Sequence, residues 1–589
     1  MRLLEKMCFV VLASGLALGQ ATAPNSGSAQ SGSVSDDLKA LREAISQQQQ
    51  QIAQQQQQLQ ALQQKLDEKN STKQAQQDDS SSSSAGTSSS NATRMAAGTP
   101  HVANASLNTT PVSATATMAQ ETEKKESPLS FRIGGTEFTP GGFIDFENVF
   151  RTTNTGGNIT TPFGTIPFNN AATGAGQLTE YRATGQYSRY NLKVTGKYGE
   201  NKIIGYLEGD FNGNDANNVF FTSNPHTSRL RLYWGDFRRG NWEILAGQTW
   251  GMQTPNRVGL SPLPADVFVP IGEDAQTHVG LPYTRAGELR VIYHFSDHFQ
   301  WGVAMQNPDQ FQGAGFITTP PAFAVPLTQQ LDSGAATTVP SLFPDIHTKM
   351  AYDTDRNGRH MHLELGGLIT SVKLAAQQLT VGATTPLSGP FLKSSAIGWG
   401  VNGAVNLELF KGFRFVANGI WGDGIGRYLI ALSPQAVIVP IQTGPTTFII
   451  NPNMVRAGAG IIGFEATARK SQFGAYWGGN YAQRNAFADI TVANTTTAIS
   501  CGPGQPLLLK PCIGFGGTNS ANTANRAIQE GSFDWTQTFW RNPQYGAVQL
   551  VTQTSYVTRA PWFVATTPVP APKNAHLMMV FVSLKYVLP

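Results

Sequence analysis

The sequence predicts an all-β transmembrane β-barrel of about sixteen antiparallel strands, with an N-terminal α-helical coiled-coil segment and a disordered linker ahead of it. Three observations predict it. Beyond residue 130, apolar and polar residues alternate over runs of about ten residues, the length a tilted membrane strand needs. Charged residues are only 14% of the chain, against 60 glycines and 10% aromatics, and past the N-terminus no apolar run of about 20 residues offers a membrane helix. Short and long connections take turns along the chain, as they do when one end of a barrel carries turns and the other carries loops.

The chain opens on a secretory signal. Arg2 and Lys6 give a positive start, residues 8–18 an apolar stretch too short to span a membrane, and Ala21-Thr22-Ala23 a small-residue cleavage site, so residues 1–23 are expected to be removed. Residues 34–69 then repeat in heptads. Leu38, Ile45, Ile52, Leu59 and Leu66 occupy position a, and Leu41, Gln48, Gln55 and Leu62 position d, with Gln almost everywhere else. Such a helix buries its seam only against copies of itself, which predicts a self-associating coiled coil whose two Gln layers fix register at a cost in stability. A disordered Gln-rich tract is the alternative. Residues 70–128, rich in Ser, Thr, Ala, Asn and Gln, lack apolar clusters to bury and are expected to be a disordered linker.

From residue 130 to 589 the texture is that of the barrel. In 188–198, Tyr190, Leu192, Val194 and Tyr198 fall on one face and Arg189, Asn191, Lys193 and Lys197 on the other. In 202–211, Ile203 and Leu207 oppose Tyr206, Glu208 and Asp210; in 288–295, Leu289, Val291 and Tyr293 oppose Glu288, Arg290 and His294. Residues 229–234 set Arg229, Arg231 and Tyr233 against Leu230, Leu232 and Trp234. The same dyad repeat gives strands near 136–152, 180–198, 202–213, 226–238, 241–251, 284–296, 298–307, 345–354, 358–372, 394–408, 412–423, 454–469, 471–484, 530–541, 545–558 and 574–588. A soluble sandwich also alternates. Apolar faces ending in Trp234, Trp301, Trp399, Trp421 and Trp477 favour a membrane, where aromatic girdles sit at the interfaces. An even count puts both termini on one side, and about sixteen strands enclose an aqueous lumen where about eight would pack solid.

In the last strand Met578, Val580, Val582, Leu584, Tyr586 and Leu588 share a face. It resembles the C-terminal signal read during insertion into a bacterial outer membrane, except that such signals usually end in an aromatic and this chain closes on Leu588-Pro589. The signal, the heptad arm, the low-complexity linker and the barrel together resemble the DcaP-like family of outer-membrane porins. SRLRLYWGDF (228–237), WEILAGQTW (242–250) and AGELRVIYHF (286–295) look like that family's strand sequences. The resemblance implies a homotrimer, an N-terminal arm in the periplasm, and passive uptake of small, preferably anionic solutes such as carboxylates. A structural envelope tether, or a trimeric adhesin whose barrel is only a membrane anchor, is the competing expectation. Contact of the arm with peptidoglycan is a further one, beside the outer-membrane lipid that any such barrel meets.

Charged side chains facing lipid are costly, so alternation assigns them to the lumen. Arg189, Lys193, Lys197, Arg229, Arg231, Arg290, Lys349 and Arg414 form the expected basic lining, sharing the interior with Glu208, Asp210, Glu243, Glu288 and Glu364. Positive groups in a confined pore favour anions; the alternative is that they only pair with the carboxylates and stiffen the wall. Residues 252–283, between the fifth and sixth strands, are Pro-rich, and in porins of this size a loop at this place folds inward. Its Asp266, Glu273 and Asp274 would then face the basic wall; an ordinary external loop is the alternative. After signal removal only Cys501 and Cys512 remain, and an exported chain favours a bridge between them over two free thiols.

No HExxH, GxSxG or P-loop pattern occurs, which leaves no catalytic reading, no cofactor and no metal site. His360 and His362 alternate on one strand without an evident third ligand. A net charge of +4 without a basic stripe excludes nucleic acid as the partner.

Overall fold

The computed structural model describes residues 127–157, 159–168, 174–213, 226–274, 277–309, 317–323, 330, 340–382, 390–430, 433–518, 520, 522–563 and 573–589. The expected signal, the coiled coil and all but the last two residues of the expected linker lie outside them.

Sixteen antiparallel strands close into a barrel. In chain order the wall is β1 (Thr136–Arg151), β2 (Glu180–Thr184 continued by Arg189–Tyr198), β3 (Asn201–Asp210), β4 (Arg229–Arg239), β5 (Trp242–Trp250), β6 (Arg285–His294), β7 (Phe299–Gln306) and β8 (Asp345–Arg356). It continues with β9 (Arg359–Ala376), β10 (Leu392–Phe410), β11 (Phe413–Asp423), β12 (Arg456–Ala468), β13 (Ser471–Ala482), β14 (Asn525–Asn542), β15 (Gly546–Pro561) and β16 (Ala575–Val587). Each pairs with the next, and β1 pairs with both β2 and β16, so no wall strand keeps a free edge. A closed ladder satisfies the backbone polar groups that hydrocarbon cannot. Each strand range read from the sequence falls on one of these strands. Among the described residues there is no α-helix.

One end of the barrel carries the short turns, at 198–201, 239–242, 294–299, 356–359, 410–413, 468–471 and 542–546. At the turn from β8 to β9, Asn357 and Gly358 take φ of 56° and 68°, the left-handed pair that a two-residue hairpin of matching twist requires. Long connections lie at the other end, and β1 starts and β16 finishes at the turn end. Several of the long connections carry structure of their own. Ala436–Gln442 and Thr447–Met454 form a hairpin, and Asn485–Ala488 pairs with Cys512–Phe515, where Cys501 and Cys512 are disulfide-bonded.

The dyad repeat sorts the two faces. Outward lie Ile144, Phe146, Ile203, Leu289, Leu365, Val401, Ile462, Phe533 and Leu584, each 42–68% exposed, while Glu147, Glu208, Arg290, Glu364, Glu530 and Lys585 are buried within. An apolar exterior around a charged interior inverts the soluble arrangement. At the turn end the outward aromatics touch one another: Trp242–Tyr293 and Tyr293–Phe295 both have centroids 4.8 Å apart, and Phe410–Phe413 4.6 Å. Trp301, Trp399, Trp421 and Trp477 also point outward.

Trp234 does not. The register between β3 and β4 shifts at Glu208/Gly209, where Arg231 is the extra residue. A bulge reverses every later side chain on its strand. Trp234 and Leu232 therefore sit inside at 6% and 0% exposure, and Tyr233 faces out.

Candidate functional site

The inward charges are gathered by β2–β4 into a first cluster. Arg231 donates to Glu208 at 2.8 Å and to Asp210 at 2.7 Å. Arg229 holds Asp210 with two hydrogen bonds, at 3.0 and 2.7 Å, and Arg189 lies 3.7 Å from Glu208. The guanidiniums of Arg231 and Arg285 lie 5.9 and 5.5 Å from the Trp250 ring centroid. On β6, Arg290 donates to Glu288 at 2.9 Å and to the Leu260 carbonyl at 2.7 Å. On β8, Lys349 donates to Glu364 at 3.1 Å and to the Thr254 carbonyl at 2.7 Å. Five of the eight basic residues expected in the lumen are thus tied to carboxylates. Lys193 and Arg414 stay partly exposed, and Lys197 is exposed at the turn rim. His362 meets Asp353 at 2.7 Å and Glu364 at 3.2 Å. Among the described residues no group of His, Cys, Asp or Glu is arranged to hold a metal.

Residues 252–283 lie against the inner face. The Leu260 amide donates to Gln300 on β7 (3.1 Å), that of Gly259 to Asp353 on β8 (3.0 Å), and that of Asn256 to Glu364 on β9 (3.0 Å). Farther round, Arg257 reaches Glu465 on β12 with bonds of 2.9 and 2.7 Å, and the Ile271 amide reaches Tyr476 on β13 (3.3 Å). The Val279 amide donates to Glu530 on β14 (2.9 Å), and the amides of Glu273 and Asp274 both donate to Gln553 on β15 (2.6 and 2.9 Å). Lys585 on β16 lies 2.6 Å from Glu273. A segment with no ladder of its own buries its amides only where inward side chains accept them. The wall makes room with glycine: a Cβ on Gly478 would strike the Val279 carbonyl, and one on Gly280 (φ 97°) the Gly460 carbonyl.

The loop carboxylates divide. Asp266 stands where Lys193 and Arg238 act on it, and burial still pushes it up to about 6. Glu273 and Asp274 lie farther round, at β15 and β16, where Arg189 of β2 also acts on Glu273. Glu273 meets Lys585, and Asp274 accepts from the Thr161 amide at 3.3 Å. Burial raises Glu273 despite the lysine beside it, and lowers His278 to about 4. Side chains that alternation placed inward as hydrocarbon-avoiding charges therefore serve first as anchors for this loop.

Other anchors had weaker signals or none. Lys585 interrupts an otherwise apolar strand at an inward position, so its role was readable. Arg257 lies in a loop whose path only the wall fixes. Arg151, Arg427 and Arg559 are buried and bind loop or wall groups near the long-loop end: Arg151 reaches Glu180 at 3.0 Å, Arg427 reaches Asp345 at 2.9 Å, and Arg559 the Ile166 carbonyl at 2.6 Å.

No family model matches the sequence, and no curated protein does. Solved structures do. The chain is similar to the outer membrane channel DcaP of Acinetobacter baumannii, at 15% identity over 78% of this chain and 99% of that one, with a TM-score of 0.49. It is also similar to an anion-selective porin from Comamonas acidovorans, at 10% identity over 77% and 100%, TM-score 0.39. For OmpF of Salmonella typhi in complex with daunomycin the figures are 9%, 78%, 100% and 0.37.

Proposed function

We propose that this chain is an outer-membrane porin of the DcaP-like kind: a passive channel for small hydrophilic, preferably anionic solutes such as carboxylates, through a water-filled lumen narrowed by residues 252–283. The observation that carries the reading is a closed barrel with a lipid-compatible exterior and a charged interior that residues 252–283 cross. Such a lumen holds charge around a path.

Exposure supports the anion preference. Glu208, Asp210, Glu243, Glu288, Glu364, Glu465, Glu530 and Asp534 are each less than a tenth exposed. The inward cations Lys193 and Arg414 remain partly accessible, as do Arg229 and Arg238 within their pairs to Asp210 and Asp236. A permeating ion feels accessible charge most, because buried pairs cancel at short range. Acids that oppose this stand at the turn rim, among them the exposed Glu200, Asp297 and Asp355 and the half-buried Glu408, which lies opposite Arg414. In this reading the chain works as a homotrimer in the outer membrane with its arm in the periplasm, where the arm meets peptidoglycan.

Reconstitution into a planar bilayer under a salt gradient tests the preference. The zero-current potential is expected to have the sign of anion flow. A potential of the opposite sign would overturn the preference while leaving the channel standing.

A further inference from the structure

Outside the lumen, at the long-loop end, a cavity of about 460 Å³ opens on the outer face of β10–β12. Its floor is Ile397 and Trp399, outward residues 61% and 45% exposed. Its rim is the loop hairpin at Pro452–Met454, with Arg456 and Arg484. We propose that this cavity binds the phosphorylated headgroup of an outer-leaflet lipid, a reading that rests on the barrel spanning a membrane.

Height is the first argument. From Phe410 at the turn to Trp399, β10 climbs about 25 Å at about 3.4 Å per residue and a tilt of about 45°. That is about the thickness of a barrel's apolar band, so Trp399 marks its upper edge. Neighbouring aromatics agree: Trp421 stacks on Tyr481 (6.4 Å), and Tyr481 meets Trp562 edge-on (6.2 Å), forming a belt at headgroup level.

Charge is the second. Arg456 is directly opposite Asp423 in register and holds it with bonds of 2.7 and 2.8 Å, yet remains 48% exposed. Arg484 donates its Nε to the Gly516 carbonyl at 2.7 Å, lies over Trp562 at 4.6 Å and lines the cavity. Farther up the same outward face Lys373 and Lys393 are exposed, Lys373 opposite Ser395 and Lys393 opposite Ala375. Two arginines and one carboxylate thus line the cavity, below the two lysines. An acyl chain along Ile397 and Trp399 and a phosphate among the guanidiniums satisfies both halves of the cavity.

The test uses the full chain in phosphatidylcholine nanodiscs doped with lipid A or with its dephosphorylated form, and native mass spectrometry to count retained lipid. Retention of the phosphorylated form is expected to exceed the other by about tenfold, the scale of one charge-assisted contact. Arg456→Gln with Arg484→Gln should abolish that ratio; Arg484→Gln alone, which keeps the Arg456–Asp423 pair, should reduce it if the double variant does not fold. Equal retention of the two lipids by the unaltered chain would overturn the proposal, as would full displacement by millimolar inorganic phosphate. A change in oligomer mass without a change in lipid count would make the face a contact between copies and refute it too. Failure of the chain to enter discs at all would instead count against the membrane reading beneath it.

Discussion

Replacing Glu465 with Gln probes how the lumen loop is held. Glu465 accepts both bonds of the Arg257 guanidinium and a third from Tyr476 at 2.8 Å, while Arg257 also donates to the Val269 carbonyl at 3.0 Å and packs over the Phe268 ring at 4.9 Å. Both partners of the pair are about a tenth exposed. Removing one member of a buried pair costs about 3–5 kcal/mol, because a charge is left without its partner. Three kcal/mol is about a hundredfold in population, enough to free residues 256–269 if they have no other hold. They have some: the amides of Asn256 and Gly259 stay bound to Glu364 and Asp353. Local rather than complete release is therefore expected, seen in single-channel recordings as a larger mean conductance with added open-state noise. Arg257→Met with Glu465→Met removes both charges and should return the quiet, smaller conductance, since an apolar pair of similar volume is often neutral. Native conductance and noise in the single variant would refute the idea that this pair holds the loop across the lumen.

Three further outcomes follow from the same geometry. Gly478→Leu drives a side chain into the Val279 carbonyl and should cost about 1–3 kcal/mol, read as a lower temperature for loss of the folded band on unboiled gels. Asp266, raised from 3.8 to about 6 by burial, takes up a proton as pH falls through 6. Because the folded state binds that proton more tightly, the stability it adds is fully present below about 3.8 and is lost as pH rises through about 6. The zero-current potential should shift further toward anions below about pH 6, and Asp266→Asn should remove that step. Serine at Cys501 and Cys512, whose sequence separation is 11, should loosen residues 485–515 by about 3 kcal/mol and speed their proteolysis, with conductance unchanged.

The wall was legible because lipid and water each select every second residue, so short-range pattern carries the long-range fold. The same rule placed Arg229, Arg290, Lys349 and Glu364 inside. It failed on β4 past Arg231, where one inserted residue reverses the faces and a dyad count has no way to register it. Loops obey no such period. The inward course of 252–283 was expected from its place in the chain, by analogy with porins of this size. The side on which Glu273 and Asp274 lie depends on Gln553 and Lys585, about 300 residues away. Nor does periodicity tell a buried cation from an accessible one: Arg231 and Lys193 look alike in sequence, and only the packing of the folded wall separates them.

The most direct test of the central claim is single-channel recording of the purified chain in a planar bilayer. Stepwise, ohmic conductance that persists without added energy is the predicted result. A folded, bilayer-inserted protein that passes no current would show that the barrel is an anchor and that its lumen is not a path.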